Sequence, residues 1–128
     1  MKDNSRPINV GLGDLMSFRW PITAITSIAH RIAGVVLFVG VGFLLFALQM
    51  SVSSEAGFAS LLAMFASPLG KFITWGLLSA LAYHFVAGIK HLLMDRGWGE
   101  TLEAATLASR LTIVFSAILI ALAAFWVI

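Results

Sequence analysis

His84 lies inside the apolar run Phe72 to Ile89, FITWGLLSALAYHFVAGI. Hydrocarbon penalises polar side chains, so an imidazole at this place needs a partner and marks a functional position by default. Three chemistries suit it: a hydrogen bond between helices, a proton relay, or ligation of haem iron. On a helix, positions 80, 81, 87, 88 and 91 share its face. Ala80, Ala87 and Gly88 make that face low in relief on both sides of the ring. A flat macrocycle can approach such a surface closely, and so can a second helix. Spacing leaves both readings open.

Depth adds a constraint. His84 precedes Lys90 by six residues, about 9 Å along a helix axis, and Lys90 is expected at the cytoplasmic headgroup level. A haem hung from His84 could send its propionates toward that surface, where His30 and Arg31 open the first apolar segment. The first and third apolar runs have no histidine, and Met50 falls at the opposite leaflet. A six-coordinate iron would therefore take its other ligand from a partner.

Thr23, Ser27 and Arg31 recur every four residues and line one helix face. A hydroxyl and a guanidinium there can donate hydrogen bonds to a quinone carbonyl oxygen and stabilise the charge that develops as it is reduced. The plainer reading of the same residues is that Arg31 snorkels to the surface while Ser27 helps to start the helix. His91, Asp95 and Arg96 form a second polar group, in which His91 and Asp95 stand at contact spacing. That group is either a solvated helix end or a proton-access route.

The elements that must position these residues follow from composition. The chain has 128 residues, 60% hydrophobic and 11% charged, with a mean hydropathy of +0.99. It is far too apolar for a soluble domain and reads as an integral membrane protein. About 20 apolar residues cross the ~30 Å hydrocarbon core, and three runs qualify: Ile32 to Met50, Phe72 to Ile89 and Leu111 to Ile128. The expected architecture is an all-α membrane protein. One domain holds a cytoplasmic arm, residues 1–20, and three transmembrane helices near 28–50, 69–95 and 108–128, forming part of a heteromeric transmembrane helix bundle.

Pro21 and the Ser67–Pro68 pair are helix-start signals, and Gly97 and Gly99 a stop. Between the first two spans, Phe58, Leu61, Leu62 and Phe65 recur at helical period, a stripe suited to packing or to the membrane surface. Trp20 and Trp98 at the inner ends, with Trp75 and Trp126 at the outer ends, are expected to anchor at the interfaces.

Charge placement sets the orientation. Lys2, Arg6, Arg19 and Arg31 precede or open the first span, Lys90, Arg96 and Arg110 lie between the second and third, and Lys71 alone is on the other side. The positive-inside rule then puts the N-terminus in the cytoplasm and the C-terminus in the periplasm. The long charged start with Pro7 and Pro21 is unlike a cleavable signal, and Asp3 and Asp14 are unlike a transit peptide. A bacterial inner membrane is the expected address. No separate basic domain exists for nucleic acid. The absence of cysteine excludes disulfides, thiol nucleophiles, thiolate-held haem and iron-sulfur clusters ligated by this chain.

Three stretches carry a resemblance to a known family: Arg6–Pro7, then Ser27-Ile-Ala-His30-Arg31, then His84-Phe-Val-Ala-Gly88-Ile-Lys90-His91-Leu-Leu-Met-Asp95-Arg-Gly97. In this order they resemble the signatures of the large cytochrome b membrane subunit of bacterial succinate dehydrogenase, respiratory complex II, over nearly the whole chain. The resemblance implies that His84 is an axial ligand of haem b, that Ser27 and Arg31 belong to the ubiquinone site, and that His30 and Arg31 lie near the haem propionates. It also implies a four-subunit enzyme linking the tricarboxylic acid cycle to the respiratory chain. There a flavoprotein with FAD oxidises succinate, an iron-sulfur subunit passes on the electrons, and a smaller membrane anchor subunit supplies the other haem ligand. No complete active site is expected in this chain alone. Two departures stand out: Ala33 where the family commonly has Ser or Thr, and Lys90 where it commonly has Arg. Competing readings are a purely structural anchor with His84 as interhelical glue, and the anchor of a related quinol:fumarate reductase. A small exporter ranks last, because no acidic residue lies within the apolar runs.

Overall fold

A computed structural model describes residues 11–128, and these form five helices without strands. Lys2, Asp3, Arg6 and Pro7 lie outside the described residues. The arm is not featureless. A short helix, α1 (Leu12–Ser17), is closed by the Asp14 carboxylate accepting from the Gly11 N–H at 3.0 Å, and Trp20 Nε1 donates back to the Leu15 carbonyl at 3.1 Å.

Helix α2 (Ile22–Ser53) has 32 residues. At ~1.5 Å per residue it is about 48 Å long, well beyond the ~30 Å of a hydrocarbon core. Its first turns carry the polar residues Thr23, Thr26, Ser27, His30 and Arg31, ahead of the uninterrupted apolar stretch. Pro21 occupies the cap itself, with φ −63° and ψ 149°, and its carbonyl accepts from the Ala24 and Ile25 N–H groups.

The connection between the first two spans is a helix, α3 (Glu55–Ala66), capped by Ser54 Oγ on the Gly57 N–H at 2.9 Å. Packing accounts for half of its apolar stripe. Leu61 is buried, and Phe65 meets Phe43 edge-on at 6.2 Å, while Phe58 and Leu62 remain exposed. Helix α4 (Pro68–Asp95) starts as its sequence signals require, with Ser67 Oγ accepting from the Gly70 N–H at 3.0 Å and Pro68 in the first turn. The α3–α4 turn is so tight that a Cβ at Gly70 would run into the Met64 carbonyl. The stop is equally local. Gly97, at φ +80°, lets its own N–H reach the Met94 carbonyl at 2.9 Å and the Trp98 N–H reach Leu93 at 3.1 Å, the paired bonds of a left-handed helix end. Helix α5 (Leu102–Val127) opens on Thr101, whose hydroxyl accepts from the Ala104 N–H at 3.2 Å.

Helices α2, α4 and α5 are each long and apolar enough to cross a membrane. α4 is central, packed on both α2 and α5. The interior is small and partly polar, built from Thr26, Ala33, Gly40, Ala87, Ser109, Thr112 and Ser116, while large side chains such as Phe38, Phe85 and Phe125 point outward. Lipid tails are as apolar as leucine, so association between such helices comes from close packing and interhelical hydrogen bonds rather than burial of large residues. At Gly40, for example, the Leu77 side chain fills the space that a Cβ would need.

Candidate haem and quinone site

The N-terminal part of α2 and the C-terminal part of α4 run antiparallel, with Thr26 opposite Tyr83 and Lys90, His30 opposite His84, and Gly40 opposite Leu77. This register brings three histidines together. The His30 and His84 rings stack at 4.1 Å with 17° between their planes, and the His91 ring lies 5.0 Å from that of His30. Glycine makes the room: a Cβ at Gly34 would stand 3.2 Å from His84 Cε1, and one at Gly88 would stand 3.7 Å from His30 Nε2.

His84 Nδ1 lies 3.2 Å from the backbone carbonyl of His30. A carbonyl only accepts, so this bond assigns the proton to Nδ1, and a neutral imidazole then keeps its lone pair on Nε2. A metal-ligating histidine uses this arrangement, one nitrogen donating to a carbonyl that fixes the ring and the other free to bind. Stacking by His30 covers a face of the ring and leaves the in-plane lone pair untouched. His30 Nε2 is itself buried without a hydrogen-bond partner among the described residues. A ligand nitrogen, an orphaned buried nitrogen and a floor of glycines together fit a haem b. The His30 ring stacks on the His84 ring, so the two side chains would not hold an iron between them.

The structure refines several sequence expectations. The ring of His30, a residue expected near the haem propionates, lies against that of His84. The spacing contact between His91 and Asp95 is not made; His91 turns to His30 and Asp95 is exposed. Ala87, expected on the open face, is instead 1% exposed in the interior. Ser27 is half-buried at the rim of α2 and Arg31 is exposed, both without a side-chain hydrogen bond among the described residues. Both keep their donors available. Trp75, expected only to anchor at the interface, donates from Nε1 to the Ile120 carbonyl at 3.2 Å.

The largest correction concerns Lys90. Its side chain does not turn outward to solvent: it is 7% exposed, with Nζ donating to Thr26 Oγ1 at 3.2 Å and Ser109 Oγ at 3.1 Å. The sequence did hold a signal for this cluster: Ser109, Thr112 and Ser116 recur at helical spacing in an otherwise apolar segment, and all three are buried.

Comparison with known proteins gives a consistent result. Residues 2–124 match the family described as succinate dehydrogenase/fumarate reductase transmembrane subunit. The chain is 36% identical over 123 residues to the succinate dehydrogenase cytochrome b556 subunit of Coxiella burnetii (strain RSA 493 / Nine Mile phase I), covering 95% of this chain and 96% of that one. It is 38% identical over 105 residues to the succinate dehydrogenase cytochrome b556 subunit of Paracoccus denitrificans, covering 82% of this chain and 81% of the relative.

Proposed function

The chain belongs to the succinate dehydrogenase/fumarate reductase transmembrane subunit family, and on that premise we propose that it co-ligates haem b through His84 and helps to build a ubiquinone-reduction site with Ser27 and Arg31. The observation that carries this reading is the His84 Nδ1 bond to the His30 carbonyl, which leaves Nε2 as the ligating atom. Haem b at this place supplies a one-electron centre inside the membrane. The smaller membrane anchor subunit would supply the iron's other ligand, and His30 and Arg31 would lie near the propionates.

Ser27 and Arg31 act on the substrate. The Ser27 hydroxyl and the Arg31 guanidinium donate to a quinone carbonyl oxygen, orient the ring, and stabilise negative charge on that oxygen as electrons arrive from the iron-sulfur subunit. Protons enter from the cytoplasmic side, where His91 and Asp95 offer an access route at the end of α4. FAD and the iron-sulfur clusters reside in the flavoprotein and iron-sulfur partners, which this chain anchors to the bacterial inner membrane with its N-terminus cytoplasmic and its C-terminus periplasmic. Both relatives carry the succinate dehydrogenase name, which favours succinate oxidation over the fumarate-reducing direction.

Purification of the native complex through this chain tests the reading. The expected preparation contains a flavoprotein, an iron-sulfur protein and a second small membrane subunit, reduces ubiquinone with succinate, and shows a b-type band in its reduced-minus-oxidised spectrum. Quinone reduction without that band would remove the haem from this reading and leave His84 as interhelical glue, whereas loss of quinone reduction as well would leave the purely structural anchor.

A further inference from the structure

Lys90 is a cation inside a three-helix membrane bundle, a costly placement that an exposed neighbouring position would avoid. Its ammonium bonds Thr26 Oγ1 on α2 and Ser109 Oγ on α5, and these two hydroxyls lie 3.2 Å apart. Thr26 is 1% and Ser109 0% exposed. From about two turns away along α4, Tyr83 donates its hydroxyl to the Thr26 carbonyl at 3.0 Å. All three long helices are thus tied at one level, and Thr26 is the point where α2 is held. Among the described residues no carboxylate pairs with the ammonium.

The geometry points to Lys90 as a positioning residue for the quinone-binding turns of α2, an inference that rests on the site assigned to Ser27 and Arg31. Each helical residue advances by about 100°. With Thr26 pinned inward, His30 falls about 40° from it, Ser27 about 100° and Arg31 about 140°. This azimuth sends His30 against His84 and leaves Ser27 at the rim and Arg31 outside, as observed. Were α2 free to roll about its axis, Ser27 would turn into the bundle or away from the substrate, and His30 would leave His84. A lysine ammonium has three rotatable donors, so it can hold hydroxyls on two helices at once, which no apolar residue of the same length can do.

The test uses the assembled complex with Lys90→Met, Lys90→Arg, Thr26→Val and Ser109→Ala. Misplacing a substrate-positioning group by about 1 Å can cost up to ~10²-fold, so the expected result for Lys90→Met and Thr26→Val is a rise of roughly tenfold in the KM for ubiquinone. Succinate oxidation with an artificial dye stays unchanged. Lys90→Arg, which retains the donors, recovers most of the loss. Ser109→Ala, which spares the bond to α2, has the smaller effect. An unchanged KM in Lys90→Met and Thr26→Val, with only a lower thermal stability or yield, overturns the proposal by showing a purely structural clasp. Should Lys90→Met fail to assemble, Thr26→Val decides by the same readout. Ser27→Ala separates the two claims: if it leaves the KM unaltered, the quinone-site reading fails, whereas a raised KM there with unaltered Thr26→Val and Lys90→Met removes only the role of Lys90.

Discussion

Replacing His84 by alanine is expected to abolish the native b-type band in the reduced-minus-oxidised spectrum of the assembled complex. On the proposed reading the His84 imidazole is the ligand that α4 supplies, and its Nδ1 is already committed to the His30 carbonyl at 3.2 Å. Loss of a carbonyl or carboxylate that orients a ligand costs about 10- to 100-fold in metal affinity, and loss of the ligand itself costs more. His30 complicates a single substitution. Its unpartnered Nε2 is buried beside the position that His84 vacates, so the stricter variant replaces both histidines by alanine. The band is absent from that double variant, while dye-linked succinate oxidation continues in the flavoprotein and iron-sulfur partners. An unaltered spectrum in the double variant means that this chain ligates no haem, and His84 is then interhelical glue.

Arg31→Ala is expected to lower the rate of quinone reduction by about 10²-fold, the usual loss when one preorganised donor to a developing oxyanion is removed. Ser27→Ala has a smaller effect, since a neutral hydrogen bond contributes about 1 kcal/mol, or roughly fivefold. Arg31→Lys restores part of the rate, because charge is kept while the planar fork is lost. Succinate oxidation with an artificial dye is unaffected in all three. The paired assays matter more than either alone, because a parallel fall in both activities reports failed assembly and a selective fall reports the quinone site. Equal loss of both in a fully assembled complex counts against these roles.

Much of this fold is legible in the sequence because the controlling physics is local. Hydrocarbon demands long apolar runs, and those runs located α2, α4 and α5. Ser67 with Pro68, and Gly97 in the left-handed region, act on backbone groups within a few residues and do in the structure what their types imply. The stripe in α3 was ambiguous for an equally plain reason. Apolar residues at helical period suit either a membrane surface or a neighbouring helix, and only the position of Phe43 showed that Phe65 faces inward.

What spacing could not reveal lies between helices. Lys90 near the inner end of an apolar run looks like a positive-inside charge, and only the azimuth of α4 sends it inward beside the buried Ala87. Its partners, Thr26 and Ser109, are 64 and 19 residues away. In the sequence this position shows only a departure from the arginine common in the family. In the structure it is an ammonium shared between two buried hydroxyls. His30 shows the same limit, since the antiparallel register of α2 and α4, and not its own neighbours, places its ring on His84.

The central claim is that the first turns of α2 form a wall of the quinone site. Its most direct test is photolabelling of the assembled complex with a photoreactive ubiquinone analogue, followed by mapping of the modified peptides. The account predicts labelling of this chain within the segment from Thr23 to Arg31, abolished by excess ubiquinone. Labelling that is competed by ubiquinone but confined to the partner subunits, with none on this segment, would contradict it.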